Sequence, residues 1–473
     1  MGNTISSNPS ASAATSTSAQ GLLAPWQLLL FAFPSAPHAF VVMPMLVVLP
    51  SFYAANTAVT LAQIAAIATL SRILDALADP VVGFLSDLTR SRLGPRKPWM
   101  LAVAVICPIA IFFLFQPPKD ATVIYFSAWS FALYIGIAMF EIPRSAWAAE
   151  LTRDYAERSR VSIFVAVSNV AGSLVFWLLP LALWRLTGTT AITSTAITAI
   201  AWMYAVLMPV GLLLGVTLVP TGIPQIQAAG QSAWRAVVQS VRSCRPLWSY
   251  LLTIIFWGLG QGAFLSMTYI FFTDYMKLGD KFPIMMIAFF VVQLAAMPVW
   301  SLLLKRMDRH RAWAWSLAAD SVARLAVLAL PIGPDAFYPG LLVVLVTAFF
   351  NAPANFLPPA ILGDVVDYNT LKTGTNKAAN FFALNNLLIK VTMALGSGAA
   401  FALLAATNYQ VGAANPSLAQ WGLIGGYLGI PTTMHLISAW VAGRFPLTRQ
   451  RHEIVRRRLE RFEQRKASAL ALG

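Results

Sequence analysis

Charge is scarce in this chain. Only 11% of its 473 residues are Asp, Glu, Lys or Arg, against about 25% in soluble domains, and that excludes an ordinary water-soluble globule. Cysteine is nearly missing: Cys107 falls in an apolar run and Cys244 in a basic stretch, and both read as free thiols with packing value only. The four histidines (His38, His310, His435 and His452) are scattered, so neither a metal site nor a cofactor is expected. Short alternating strands of the membrane β-barrel type do not stand out. Carboxylates are the scarcest charged groups, 18 against 33 basic residues, and the formal net charge is +15. That excess invites a nucleic-acid reading, which its distribution argues against.

What the chain does have is apolar length. Hydrophobic residues make up 58% of it, and stretches of about 20 apolar residues recur along almost the whole sequence. The expected fold is therefore all-α and membrane-embedded, with twelve spans near 22–50, 57–86, 98–116, 121–149, 159–184, 191–219, 247–275, 281–305, 311–333, 337–363, 378–406 and 417–443. They divide into two six-helix halves, 21–219 and 247–443, around a polar linker at 220–246. A Ser/Thr/Ala-rich segment at 1–20 reads as a disordered tail, and 444–473 as a basic one. Twenty-five of the Lys and Arg residues fall in alternate loops, the linker and the tail, whereas the intervening loops hold only Lys119, Arg185, Lys277 and Lys281. The positive-inside rule then places both termini and the basic loops in the cytoplasm. The excess charge is topological, and no nucleic-acid partner is expected. The tail "RQRHEIVRRRLERFEQRK" reads either as a solvated segment or as a basic helix lying on anionic lipid.

Against this background a charge inside a span is informative, because one at the centre of a lipid-facing helix costs at least about 2.5–3.5 kcal/mol. Arg72, Asp75 and Asp79 sit together in one span, and spacings of three and seven put them on one helix face. That face should look into protein or a water-filled cavity. Lys390 lies mid-span and needs an acidic partner. Glu141 and Arg144, one turn apart, serve a solute or coupling role or pair only with each other. Asp320 and Arg324 read as a structural pair. Asp87 with Arg90, Arg92, Arg96 and Lys97 forms either a gate between conformations or a solvated loop. Asn385 and Asn386 read as helix glue or cavity lining. Trp147, Trp257 and Tyr269 either stack on a ring-shaped solute or pack, and His38 is either a packing residue or a proton carrier.

Three separated motifs resemble the glycoside–pentoside–hexuronide:cation symporter family of the major facilitator superfamily, whose best-known members are melibiose permeases. The first is D-x-x-x-D-P, a glycine and a basic loop, here Asp75, Asp79, Pro80, Gly83, Arg90–Ser91–Arg92, Gly94, Pro98 and Trp99. The second is "EIPRSAWAAELTRDYAERSR" at 141–160, and the third "LGDVVDYNTLKTG" at 362–374 leading to Lys390. The resemblance implies a secondary transporter in the bacterial inner membrane, working by alternating access as a monomer. Asp75 and Asp79 would be its cation-site carboxylates, Glu141 the substrate-site acid and Lys390 the lysine near the cation. Two departures shape the expectation. Where sodium-using members offer an amide and a hydroxyl, this chain has Ala78 and Ala138, and where a sugar-binding basic residue stands on the fifth span it has Ala166, with only Ser168 and Asn169 as polar groups. Proton-coupled symport of a sugar-like or glycoside-like small solute is therefore expected, with sodium the weaker alternative. The same fold carrying a lysolipid, siderophore or peptide-like solute is the competing cargo. A membrane prenyltransferase binding Mg²⁺–diphosphate at D-x-x-x-D is the remote one.

The orientation is open to direct measurement. A fluorescent protein fused after Gly473 is expected to fluoresce, and alkaline phosphatase fused at Asp120, Thr187 or Lys277 to be active. Active phosphatase at Arg92 or Lys305 instead would invert the assignment.

Overall fold

The computed structural model describes residues 23–152, 155–222, 244–374 and 378–471. The expected tail at 1–20 and most of the linker at 220–246 lie outside the described residues. The chain is helical throughout, with no strand among the described residues. In the first half α1 (Pro25–Ala32), α2 (Ser35–Val47) and α3 (Leu49–Asn56) make one interrupted span, followed by α4 (Leu61–Leu88), α5 (Lys97–Phe115), α6 (Val123–Leu151), α7 (Tyr155–Thr187) and α8 (Ser194–Leu218). The second half holds α9 (Arg245–Ile270), α10 (Phe282–Leu303), α11 (Arg309–Leu325), α12 (Phe337–Asn351), α13 (Leu357–Thr373), α14 (Ala378–Ala406), α15 (Ser417–Ile424) and α16 (Ile430–Gly443), with α17 (Arg449–Ala471) following. A short 3-10 turn at Ala352–Asn355 joins α12 to α13, and a π turn at Gly425–Gly429 joins α15 to α16.

Among the described residues, ten helical stretches are long and apolar enough to cross a membrane. Two further segments, α11 and the α15–α16 pair, are consistent with the twelve spans expected. Charge within α11 explains why it reads as less apolar, since Asp320 and Arg324 both lie inside it and pair with each other. Threonines start the helices at the end away from the basic loops: Thr60, Thr122 and Thr193 each accept a bond from a backbone N–H in the first turn of α4, α6 and α8. These caps satisfy donors that hydrocarbon cannot.

The packing repeats between the halves. In the first, α2 packs on α7, α4 and α5 on α6, and α5 on α8; in the second, α9 packs on α14, α10 and α11 on α12, and α11 on α16. Small residues set the closest approaches, as expected where lipid removes the hydrophobic drive between helices. A Cβ on Gly262 of α9 would stand 1.9 Å from the Met393 carbonyl oxygen, and one on Gly396 of α14 the same distance from that of Leu259. In the first half Gly172 of α7 lies likewise against the Ala36 backbone of α2.

Across the seam α4 packs on α14 and α7 on α10. At the end remote from the basic loops, Thr189 Oγ1 donates to Asp280 Oδ1 at 2.6 Å, and the Thr190 hydroxyl donates to the Asp280 carbonyl. Nearby, the Trp177 and Phe282 rings meet edge to face. Deeper, Thr69 Oγ1 donates to the Ala394 carbonyl at 3.4 Å. Ion pairs at the basic end stay inside their own half: Arg96 with Asp87 and Glu150, and Arg309 with Asp364. The halves are thus joined at the remote end and mid-membrane.

Gly262→Leu and Gly396→Leu are each expected to push α9 and α14 apart, at a cost of at least about 1–3 kcal/mol, read as lost monodisperse protein and a lower melting temperature in detergent. Gly363→Ala, whose Cβ would meet nothing within 4 Å, should be neutral or stabilising by up to about 1 kcal/mol.

Candidate functional site

The charged groups of four helices meet at the seam. Spacing of four along α4 stacks Asp75 and Asp79 one above the other, and both face Lys390 of α14. Lys390 Nζ lies 3.0 Å from Asp75 Oδ2, 2.8 Å from Asp79 Oδ2 and 3.4 Å from Glu141 Oε2 of α6. His38 of α2 closes the group, its Nε2 3.2 Å from Glu141 Oε1. Prolines flank two of the acids: Pro80 follows Asp79 in α4, and Pro143 stands two residues after Glu141 in α6. Each removes an N–H from its helix ladder and so frees a carbonyl one turn earlier, that of Ala76 or Met139.

The charges do not balance. Three carboxylates surround one ammonium, which leaves two negative charges over when His38 is neutral. Asp75 Oδ1 and Asp79 Oδ1 are buried with no hydrogen-bond partner among the described residues. A buried acceptor left unpaired is costly, so this arrangement favours any bound proton or monovalent cation. Exposure is graded across the group: the Asp75 side chain is 7% exposed, Asp79 19%, Lys390 24% and Glu141 39%. The Glu141 side of the group is thus the more open one, and Asp75 lies deepest.

Not every candidate joins the cluster. Arg72 makes no ion pair among the described residues, although its spacing puts it on the Asp75–Asp79 face. Helical side chains lean toward the N-terminus, so an arginine preceding its acids points away from them. Arg144 does not pair with Glu141 within ion-pair distance. Its Nη1 donates to Ser35 Oγ at 2.9 Å, its guanidinium lies 4.8 Å from the Phe140 ring centroid, and its Nε has no partner among the described residues. Asn385 accepts from the Tyr250 hydroxyl at 2.8 Å and donates to Asn386 at 3.3 Å, tying α9 to α14. Trp257 is partly buried with its indole N–H unpaired. Asn169 is partly exposed on α7. Tyr269 packs on Phe282 at the remote seam. Asp320 and Arg324 form the expected internal pair, with the guanidinium 3.7 Å from the Phe264 ring centroid.

Each buried residue of the basic loop between α4 and α5 is tied to a neighbouring helix. Gly94 turns the chain at φ +87°, a conformation side chains resist. Arg96 then reaches back to Asp87 and Ser86 of α4 and across to Glu150 of α6. Lys97 Nζ donates to the Val216 and Val219 carbonyls at 2.7 Å each, where α8 ends. Trp99 Nε1 donates to Thr89 at 3.0 Å. Arg90 and Arg92 are exposed and form no ion pair among the described residues. The second half has a related contact: Arg309, at the start of α11, holds Asp364 in the middle of α13 at 2.6 Å. The sequence singles out neither Ser35 nor Glu150 as a site candidate, and it reads His38 as a packing residue or a proton carrier with no partner named. His38 offers no spacing signal, because its partner is 103 residues away, whereas Glu150 stands inside the second motif and was legible there.

Known proteins resemble this chain over most of its length. An uncharacterized symporter of Bacillus subtilis is 23% identical across 75% of this chain and 77% of its own. A lactose permease of Lactobacillus delbrueckii subsp. bulgaricus is 25% identical across 82% of this chain and 64% of its own. An uncharacterized symporter of Synechocystis is 36% identical over a shorter stretch, 22% of this chain and 21% of that protein. Among solved structures, a bacterial homologue of the human lysosomal transporter Spinster, inward-facing and unoccupied, superposes with TM-score 0.64 at 13% identity over 92% of this chain and 97% of that one. A nucleoside transporter gives the same TM-score and identity over 88% and 99%. Both show the fold alone. The family profile described as MFS/sugar transport protein matches residues 30–449, and the chain belongs to that family of transporters.

Proposed function

We propose that this protein is a proton-coupled symporter of a small sugar-like solute in the bacterial inner membrane, with both termini in the cytoplasm. The observation that carries the proposal is the ammonium of Lys390, on one half, shared by Asp75, Asp79 and Glu141 of the other. Alternating access requires the halves to move against each other, and α4 against α14 is their most extensive contact. A proton on Asp79 removes one of the attractions that hold Lys390 to α4. A coupling ion thereby lowers the cost of separating the seam, where breaking a buried pair unaided costs about 3–5 kcal/mol. With the basic end taken as cytoplasmic, the contacts at the remote end support reading this conformation as the inward-open member of the cycle.

Glu141 belongs to both tasks. One oxygen faces Lys390 and the other His38, so a hydroxylated solute that bonds to Glu141 competes directly with the cation cluster. Solute and proton then report on each other through one carboxylate, which is the coupling that symport needs. Arg144, held on Ser35 and Phe140, supplies donors beside it, and Trp257 and Asn169 are the candidate walls. The relatives named lactose permease, raffinose carrier and putative glycoside/cation symporter support a sugar-like cargo. Sodium would need several oxygen ligands, and the side chains at Ala78 and Ala138 supply none.

In membrane vesicles with an imposed pH gradient, concentrative sugar uptake is expected to collapse with a protonophore and to fall at least about tenfold in Asp79→Asn. Replacing sodium by potassium should change nothing. Full gradient-driven uptake in Asp79→Asn, or an absolute need for sodium, would overturn the proton assignment. A second test addresses the moving seam. Cysteines replacing Thr189 and Asp280 should form a disulfide under oxidation that stops uptake reversibly, with reductant restoring it. The native Cys107 and Cys244 are buried and free, so they leave a quiet background. Unimpaired uptake by the crosslinked protein would mean that this end does not open.

A further inference from the structure

A second charged cavity lies at the basic end of the second half, away from the Lys390 cluster. It encloses about 590 Å³ between the start of α9, the end of α13, the chain that leaves α16 and the first turns of α17. Arg245, Arg444 and Arg451 line it from three of these elements, with the hydroxyl-bearing Ser249 and Tyr368 between them and an apolar wall that includes Leu447. No carboxylate is among its described lining residues. The acids next in sequence to lining residues are engaged elsewhere: Asp367 faces His452 at 3.1 Å, and Glu453 faces Arg449 at 3.2 Å.

The arginines are held yet retain donors. Arg451 Nη1 donates to the Pro446 carbonyl at 2.8 Å, which uses one edge of its guanidinium. Arg444 lies flat on Trp440, 3.9 Å from the ring centroid, and stacking leaves its N–H edge free. Arg245 is exposed and makes no ion pair among the described residues. Three like charges around one cavity repel, so an anion that accepts several N–H bonds is the complementary occupant, and guanidinium forks match phosphate oxygens. Height in the bilayer narrows the source. Trp440 and Trp248, both largely exposed, stand beside Arg444 and Arg245 in sequence, and exposed tryptophans mark headgroup level. The apolar wall suits the first carbons below a headgroup.

We propose that this cavity is a phosphate seat, occupied by the headgroup of an anionic phospholipid of the cytoplasmic leaflet. An occupant there bridges α9, α13 and α17 and so fastens the last helix to the second half.

The test uses the full-length protein in nanodiscs of phosphatidylcholine, with stepwise addition of phosphatidylglycerol or of inorganic phosphate, read by melting temperature and by lipid adducts in native mass spectrometry. Phosphatidylglycerol is expected to raise the melting temperature and leave a retained adduct. Arg245→Gln/Arg444→Gln/Arg451→Gln should need at least about tenfold more lipid for the same shift. The charge-matched variant Arg457→Gln/Arg458→Gln/Arg461→Gln, outside the cavity, should respond like the parent. A response to inorganic phosphate in pure phosphatidylcholine, lost in the first variant, would keep the seat and assign it to a soluble phosphate compound. Equal responses of the two variants, or no response of the parent to either anion, would overturn the proposal.

Discussion

One ammonium shared among three carboxylates ties this molecule together across its moving joint. In hydrocarbon, neither a lone lysine nor a lone pair of aspartates is tolerable, and their mutual attraction is what lets each be there. That attraction is also unfinished, because two negative charges remain beyond what Lys390 offsets when His38 is neutral, and two buried carboxylate oxygens lack partners among the described residues. A fully satisfied cluster would lock the seam. A partly satisfied one leaves a place where a small cation changes the strength of the joint.

The two halves share a packing plan and differ in what they place inside it. Close glycine contacts recur in both, as does an ion pair between an arginine at the start of the third helix and a carboxylate on the fourth. The interiors diverge. In the first half, titratable groups face the seam. In the second, Arg324 and Asp320 neutralise each other, and Gln293 donates to Asn351 at 3.0 Å, so the polar interior is closed on itself. The charge at the seam is concentrated in one half, with Lys390 the one contribution from the other among the described residues.

Much of this was legible in the sequence, because a membrane protein makes buried charge conspicuous. Asp75, Asp79, Glu141 and Lys390 stood out against apolar runs, and the structure brings those four together. The helical class and the approximate spans followed from apolar length. Arg72 shows where helical spacing fails: it shares the face of the aspartates but leans the other way. His38 shows a second limit, since one polar residue in an apolar span carries no sign of a partner 103 residues on. Lys97 is the third case. A positive charge in a loop reads as topology, yet it ends a helix three spans later, through backbone oxygens that no sequence displays.

The separation of Lys390 from its partners bears on how the protein is made. Asp79 precedes Lys390 by 311 residues, an interval of roughly 15–60 s at a synthesis rate of 5–20 residues per second. The first half can pack its glycines and close its Arg96 clasp from its own residues. Its three acids have no ammonium to face until the eleventh span arrives. For that interval they must hold protons or stay in contact with water, so a group read as a carrier of protons in the finished molecule is first a condition on its insertion.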